Sequence, residues 1–285
     1  MTRLPDHIEQ PGPTGEPYIQ VPTRLVETEI ELPAGVTLDV SLAAALAERG
    51  FASGCFRISD AAMSAFDYVI PDHPNDDLHV AWYSARRNPS LPGAIIDAAI
   101  TCGPGSDGMY YHCHGKFRDA RGKVTMGHLL PETCVPSAPL RISGYAFHDA
   151  AFQRVADAQT GFELFSPVAL GNAPDDAEGI LLRITPNIEI SEPLIACCRA
   201  AGWQRASVHG VGSLIGAHFA NGGVLESYAT EFYFTDGRID LTGDAPSAAL
   251  DIALVGLGSN WMEGRLQQGR NPVLITAEIL LRQQK

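Results

Sequence analysis

The sequence predicts an α+β protein of two related domains, each a mostly antiparallel sheet with one packed helix. Three observations carry this expectation. The chain has 285 residues, about twice the commonest domain size. Two segments repeat one succession of amphipathic helix, glycine stop, aromatic residue and strand. Most of the remaining chain alternates apolar and polar residues, the pattern of half-buried strands.

The elements follow in order. Residues 1–30 begin rich in proline and lack the apolar run of a secretory signal, so they are expected as an extended N-terminal arm. From Leu38 to Arg49 apolar residues recur at helical spacing, with Asp39 as the expected cap and Gly50 as the left-handed stop. Ser191 to Ala201 repeats the pattern, with Pro193 in the first turn and Gly202 as the stop. The runs that follow, from Gly50-Phe51 and from Gly202-Trp203, align without a gap as far as Phe66 and His218. Strands are predicted at Ala94 to Thr101, Tyr110 to Arg118 and Leu140 to Ala146, and again at Ser227 to Tyr233, Ala248 to Gly256 and Val273 to Leu281. Turns are predicted at Asp119 to Gly122 and Thr235 to Gly237. The small and polar residues of 171–179 read as a linker, which divides a domain of residues 31–170 from one of residues 180–285.

Composition narrows the function. Apolar residues make up 45% and charged residues 19%, a folding composition with no apolar run near the roughly 20 residues that span a bilayer. Six cysteines without a C-x-x-C pair point to a reduced cytoplasm rather than a disulfide framework. A formal charge of −13 repels phosphate backbones, so nucleic acid is an unfavourable partner.

The halves diverge in opposite ways. Where the first reads His112-Cys113-His114 and Gly127-His128-Leu129, the second reads Asp251-Ile252-Ala253 and Gly264-Arg265-Leu266. Conversely, Gly210-Val211-Gly212-Ser213 in the second replaces Ile58-Ser59-Asp60-Ala61 in the first. Alternate residues of a strand share a face, so His112 and His114 sit side by side with Cys113 turned away. The offset of 14 positions from His114 to His128 allows a turn and a return strand that brings the third imidazole to the first two. Three neutral imidazoles with an open position suit a catalytic zinc, one per chain. Gly210, Val211, Gly212 and Ser213 read as a turn whose amides approach an anion, a tight structural turn being the alternative.

These motifs resemble the PPC (plants and prokaryotes conserved) domain, whose pattern is H-x-H, an acidic-glycine turn and G-G-H-L. Met126 stands in place of the first glycine of the last element. Gly210-Val211-Gly212-Ser213-Leu214 resembles the same family's G-x-G-S-L segment, so the likeness runs as a tandem from about Leu32 to Leu281. The resemblance implies that His112, His114 and His128 hold the metal and that the chain is a homo-oligomer, a trimer in family members. It also implies a fold similar to acetolactate decarboxylase, a two-domain zinc enzyme.

The resulting expectation is a cytoplasmic, zinc-dependent lyase or hydrolase acting on a small oxygenated, carboxylate-bearing substrate. Arg57 and Lys116 join Gly210 to Ser213 as anion-binding candidates, and Glu132, Glu226, Glu231, Tyr110 and His209 are the acid–base candidates. Two alternatives stand beside it: a PPC-type regulatory or DNA-associated module with a structural metal, and a non-catalytic protein that binds a small ligand.

Overall fold

The computed structural model describes residues 4–284. Strands take up 53% of the described residues and helices 10%, so the α+β expectation is corrected to a mainly β fold. The difference lies in segments read as arm or connection. Within 1–30, Tyr18–Thr23 forms one edge strand and Leu25–Leu32 begins another, while Ala150–Ala156 and Glu163–Ala169 pair as a hairpin. Met1 to Arg3 of the expected arm, and Lys285, lie outside the described residues. The two helices, Leu38–Glu48 and Ser191–Ala200, fall within a residue of their expected spans. Gly50 and Gly202 end them at φ +75° and +70°, a region that costs glycine nothing. Thr37 takes the cap position of the first helix without a side-chain hydrogen bond to it, and the expected cap Asp39 lies inside the first turn.

Two antiparallel sheets carry the fold. The first runs in the order Leu25–Leu32, Leu140–Phe147, Gly54–Ala65, Gly93–Gly105, Gly108–Arg118, Val124–Leu129, Tyr68–Val69. The second runs Tyr18–Thr23, Gly179–Ile184, Val273–Gln283, Arg205–Leu214, Thr230–Asp240, Ser247–Gly256, Trp261–Arg265. At Arg24 the chain passes from one sheet to the other, and the Arg24 guanidinium donates to Asp149 at 2.6 Å to fix the crossing.

Side-chain alternation decides what each face buries. Leu38, Leu42 and Leu46 of the first helix pack with Ile58, Ile100, Cys113 and Phe117 on one face of the first sheet. Leu194 and Cys198 of the second helix pack with Val208, Phe232 and Ile252 on one face of the second. The remaining faces meet each other, with Ala99 and Met126 against Val211, Tyr233 and Ala253. The layers are therefore helix, sheet, sheet, helix. Each fully buried aliphatic side chain contributes about 1.5–3 kcal/mol, so the helix-facing layers supply most of the stabilisation. The layer between the sheets instead buries His114, Glu231 and Glu278, groups that cost free energy unless paired.

Two expected turns are corrected to strand. Thr235 to Gly237 lies inside Thr230–Asp240, where the register shifts between Phe234 and Asp236. Gly210 to Ser213 lies inside Arg205–Leu214, with Gly212 opposite Phe232 on one side and Ala277 on the other. A Cβ on Gly212 would sit 2.7 Å from both Ala277 Cα and the Thr276 carbonyl oxygen. Glycine is needed there for close strand approach, and the local alternation of small and apolar residues did not separate that need from a turn.

All six cysteines are buried and free. No helix among the described residues is long and apolar enough to cross a membrane.

Candidate metal centre

His112 and His114 project from the same face of Gly108–Arg118, and His114 lies directly opposite His128 on the neighbouring strand Val124–Leu129. Antiparallel pairing thus delivers three imidazoles whose ligand atoms all lie within 4.8 Å of one another. Cys113 points the other way into the helix-facing core, where burial raises its thiol pKa and keeps it protonated.

The second sheet orients the rings. The His112 Nδ1 is hydrogen-bonded to the Glu278 carboxylate, and His114 Nδ1 donates to the Phe232 carbonyl at 2.7 Å. Both acceptors fix the tautomers and turn the Nε2 lone pairs inward, the arrangement that metal-ligating histidines adopt. The two Nε2 atoms are 3.0 Å apart, close enough to share one cation. Without metal a proton serves: burial alone would lower the His112 pKa, but Glu278, with Glu231 behind it, raises it.

Glu231 completes the group. Its Oε1 lies 3.6 Å from His114 Nε2 and 3.6 Å from His128 Nδ1. The 3.0 Å between the His112 and His114 nitrogens is near the roughly 3.3 Å expected between ligand atoms of a tetrahedral zinc with bonds near 2.0 Å. The Glu231 Oε2 is buried with no hydrogen-bond partner, a cost that a bound cation or a proton would offset. Burial would raise the Glu231 pKa, yet His114 and His128 outweigh it and bring it down to about 2. His128 is lowered to about 4, first by burial and then by its two neighbouring histidines despite Glu231, so its ring is neutral at pH 7 and free to bind metal. The donor set of three imidazoles, with a carboxylate beside them, suits a divalent transition metal.

Two openings reach the histidines. A cleft of about 70 Å³ is lined by His112, His114, Glu231, Trp82, Tyr83 and Phe162, among others. A cavity of about 370 Å³ reaches His128 from the other side, between Tyr83, Tyr110 and Glu132. Tyr83 borders both, its ring edge-on to His128 at 5.1 Å between centroids.

Of the residues singled out in the sequence, Glu231 joins the histidines, Gly212 and Ser213 wall the smaller cleft, and Tyr110 and Glu132 line the larger one. The backbone at Gly210, Val211, Gly212 and Ser213 takes part in the strand ladder, which corrects their expected place in an anion-binding turn. Arg57 is committed to Asp97, with Nε to Oδ1 at 2.6 Å, and to the Phe234 carbonyl across the sheets. Lys116 pairs with Glu263 at 2.5 Å. His209 lines a separate cavity of about 350 Å³ and bonds Ser207 at 3.0 Å, and Glu226 is exposed beyond the strand Val224–Leu225. The sequence reading missed Glu278, Tyr83 and the Phe232 carbonyl. Glu278 had a signal, a lone acid inside the apolar run Val273 to Leu281. Tyr83 and a backbone carbonyl have none.

No family model matches the chain, and no curated protein matches it. Among solved structures, a metal-containing protein from Archaeoglobus fulgidus is similar at 18% identity and a TM-score of 0.41, covering 50% of this chain and 93% of its own. A plant- and prokaryote-conserved (PPC) protein from Pyrococcus horikoshii is similar at 12% identity and a TM-score of 0.41, covering 53% of this chain and 97% of its own.

Proposed function

We propose that the protein is a metal-dependent enzyme, with zinc the preferred ion, that moves a proton at a small carbonyl compound in a hydrolase or lyase reaction. His112, His114 and His128 would hold the ion, which when bound polarises a carbonyl oxygen and acidifies water. The observation that carries the reading is Glu231, whose Oε1 is 3.6 Å from two of the histidine nitrogens while its Oε2 is buried and unpartnered. With three imidazoles to hold the ion, Glu231 is a fourth group beside it, and its buried Oε2 is left without a protein partner and open to a proton.

Glu231 takes a proton from the reacting group and returns it to the leaving group. The Phe232 carbonyl, next in the chain, holds His114 still meanwhile, so base and ligand share one strand. Glu278 keeps the His112 ring oriented and electron-rich.

The test uses 4-nitrophenyl acetate as probe. Zinc-loaded protein is expected to hydrolyse it, metal-free protein not, and Glu231→Gln should keep its metal yet lose about 100-fold or more of the rate, the scale of a general base. Equal rates with and without metal, or an undiminished Glu231→Gln rate, would remove the proposal.

A further inference from the structure

Resting on the metal-dependent reading above, we infer that the substrate is uncharged, with an apolar or aromatic tail held against the stacked rings of Trp82 and Phe162, and is not the anion that the sequence led one to expect. Charge is the first argument. Neither opening onto the histidines is lined by a lysine or arginine; the charged side chains there are Glu231, Asp39 and Glu132. The two cations nearest in the sequence argument are spent, Arg57 on Asp97 and Lys116 on Glu263.

A divalent ion with Glu231 and Glu278 beside it sums formally to zero. An anionic tail would then meet the carboxylates that line the openings, the arginines nearby being engaged, Arg86 with Glu132 and Arg154 with Glu163 over the Tyr110 ring, and a cationic tail would meet the ion itself. At the roughly 4–6 Å over which fixed charges dominate, both are disfavoured and a neutral tail is not.

The walls are the second argument. The smaller cleft is built from Pro71, Ala81, Leu164, Leu274 and Ile275 with the aromatic rings at its mouth. The Trp82 and Phe162 rings stack at 5.3 Å between centroids and 23° between planes, and His79 lies 4.5 Å from Phe162. Trp82 nevertheless remains 37% exposed, so an aromatic or branched apolar tail gains contact area there that water now occupies.

The experiment keeps the metal-seeking head constant and varies the tail. Imidazole, 4-phenylimidazole, imidazole-4-acetate and histamine are titrated into the cobalt-loaded full chain, with the visible cobalt spectrum as readout. The phenyl compound is expected to bind at least 10-fold tighter than imidazole, and the acetate and the amine no tighter than imidazole. Trp82→Ala and Phe162→Ala should each remove most of the phenyl advantage while leaving imidazole binding unchanged. Tighter binding of the acetate or the amine than of the phenyl compound, or no phenyl advantage, overturns the inference while leaving the metal reading intact. If the chain takes up no cobalt, the metal reading fails on its own. The four compounds are then compared on the metal-free protein through the Trp82 indole N–H resonance, where the phenyl compound should again shift it at the lowest concentration. A resonance indifferent to it overturns the tail assignment as well.

Discussion

Replacing Glu278 with Gln isolates what the second half contributes to the histidines of the first. The side chain is 1% exposed, with one oxygen on His112 Nδ1 and the other accepting the Thr276 hydroxyl at 3.3 Å. Glutamine keeps the volume and an acceptor for His112, and the Thr276 hydroxyl can reverse to accept, so the fold should survive. Only the charge is lost. Removing such a supporting carboxylate costs 10–100-fold in metal affinity, about 1.4–2.7 kcal/mol. The assay is zinc competition against a chelator of known affinity, on wild type and variant, at pH 7.5 and pH 6. The pH dependence has a definite sign. In the metal-free wild type Glu278 overcomes burial and raises the His112 pKa, so protons compete with the metal as pH falls. Without the charge burial prevails and His112 releases its proton more readily. The wild-type advantage should therefore shrink between pH 7.5 and pH 6. Affinities within twofold of each other at pH 7.5, with an unaltered His112 titration by NMR, would refute the reasoning.

Two further outcomes test the sheets. Gly212→Val should destabilise the whole fold by about 2 kcal/mol or more in urea unfolding, because its side chain meets the Ala277 and Thr276 backbone at 2.7 Å; unchanged stability would contradict the close packing of these strands. His209 is held down at about 4, chiefly by burial and then by Arg57 and Arg282, against about 6.5 in an unfolded chain. The unfolded state thus binds a proton that the native state refuses. Its contribution is fully present above pH ~6.5 and is lost as pH falls toward 4, amounting to about 2 kcal/mol by pH 5. His209→Gln should lose that much less stability than wild type between pH 7 and pH 5, and equal losses would count against it.

How much was legible in the sequence depends on the range of the interaction. The strand alternation that sets His112 and His114 on one face, opposite Cys113, is local and could be read directly. The return of His128 needed only one turn and a register. The class differs because the edge strands Tyr18–Thr23 and Leu25–Leu32 are paired across the chain, with Gly179–Ile184 and Leu140–Phe147; Tyr18–Thr23 carries little signal of its own, while the apolar–polar alternation of Leu25–Leu32 falls mostly within the segment expected as an extended arm. Gly210 to Ser213 was misplaced for a related reason. A glycine that admits a neighbouring strand and a glycine that makes a turn look alike until the neighbour, here Ala277, is known. The partners of the histidines were hidden by distance, since Glu278 and Phe232 are brought to them only when the two sheets stack. The same stacking decided the fate of Arg57, whose guanidinium crosses to the Phe234 carbonyl and is therefore not left for a ligand.

The central claim is one metal centre built by both halves, and metal content tests it most directly. After equilibration with zinc and removal of excess, elemental analysis should find about one zinc per chain in wild type. It should find close to none in His114→Ala, whose remaining histidines cannot close the site. Absence of bound zinc in wild type, or an equal content in wild type and His114→Ala, would contradict the account.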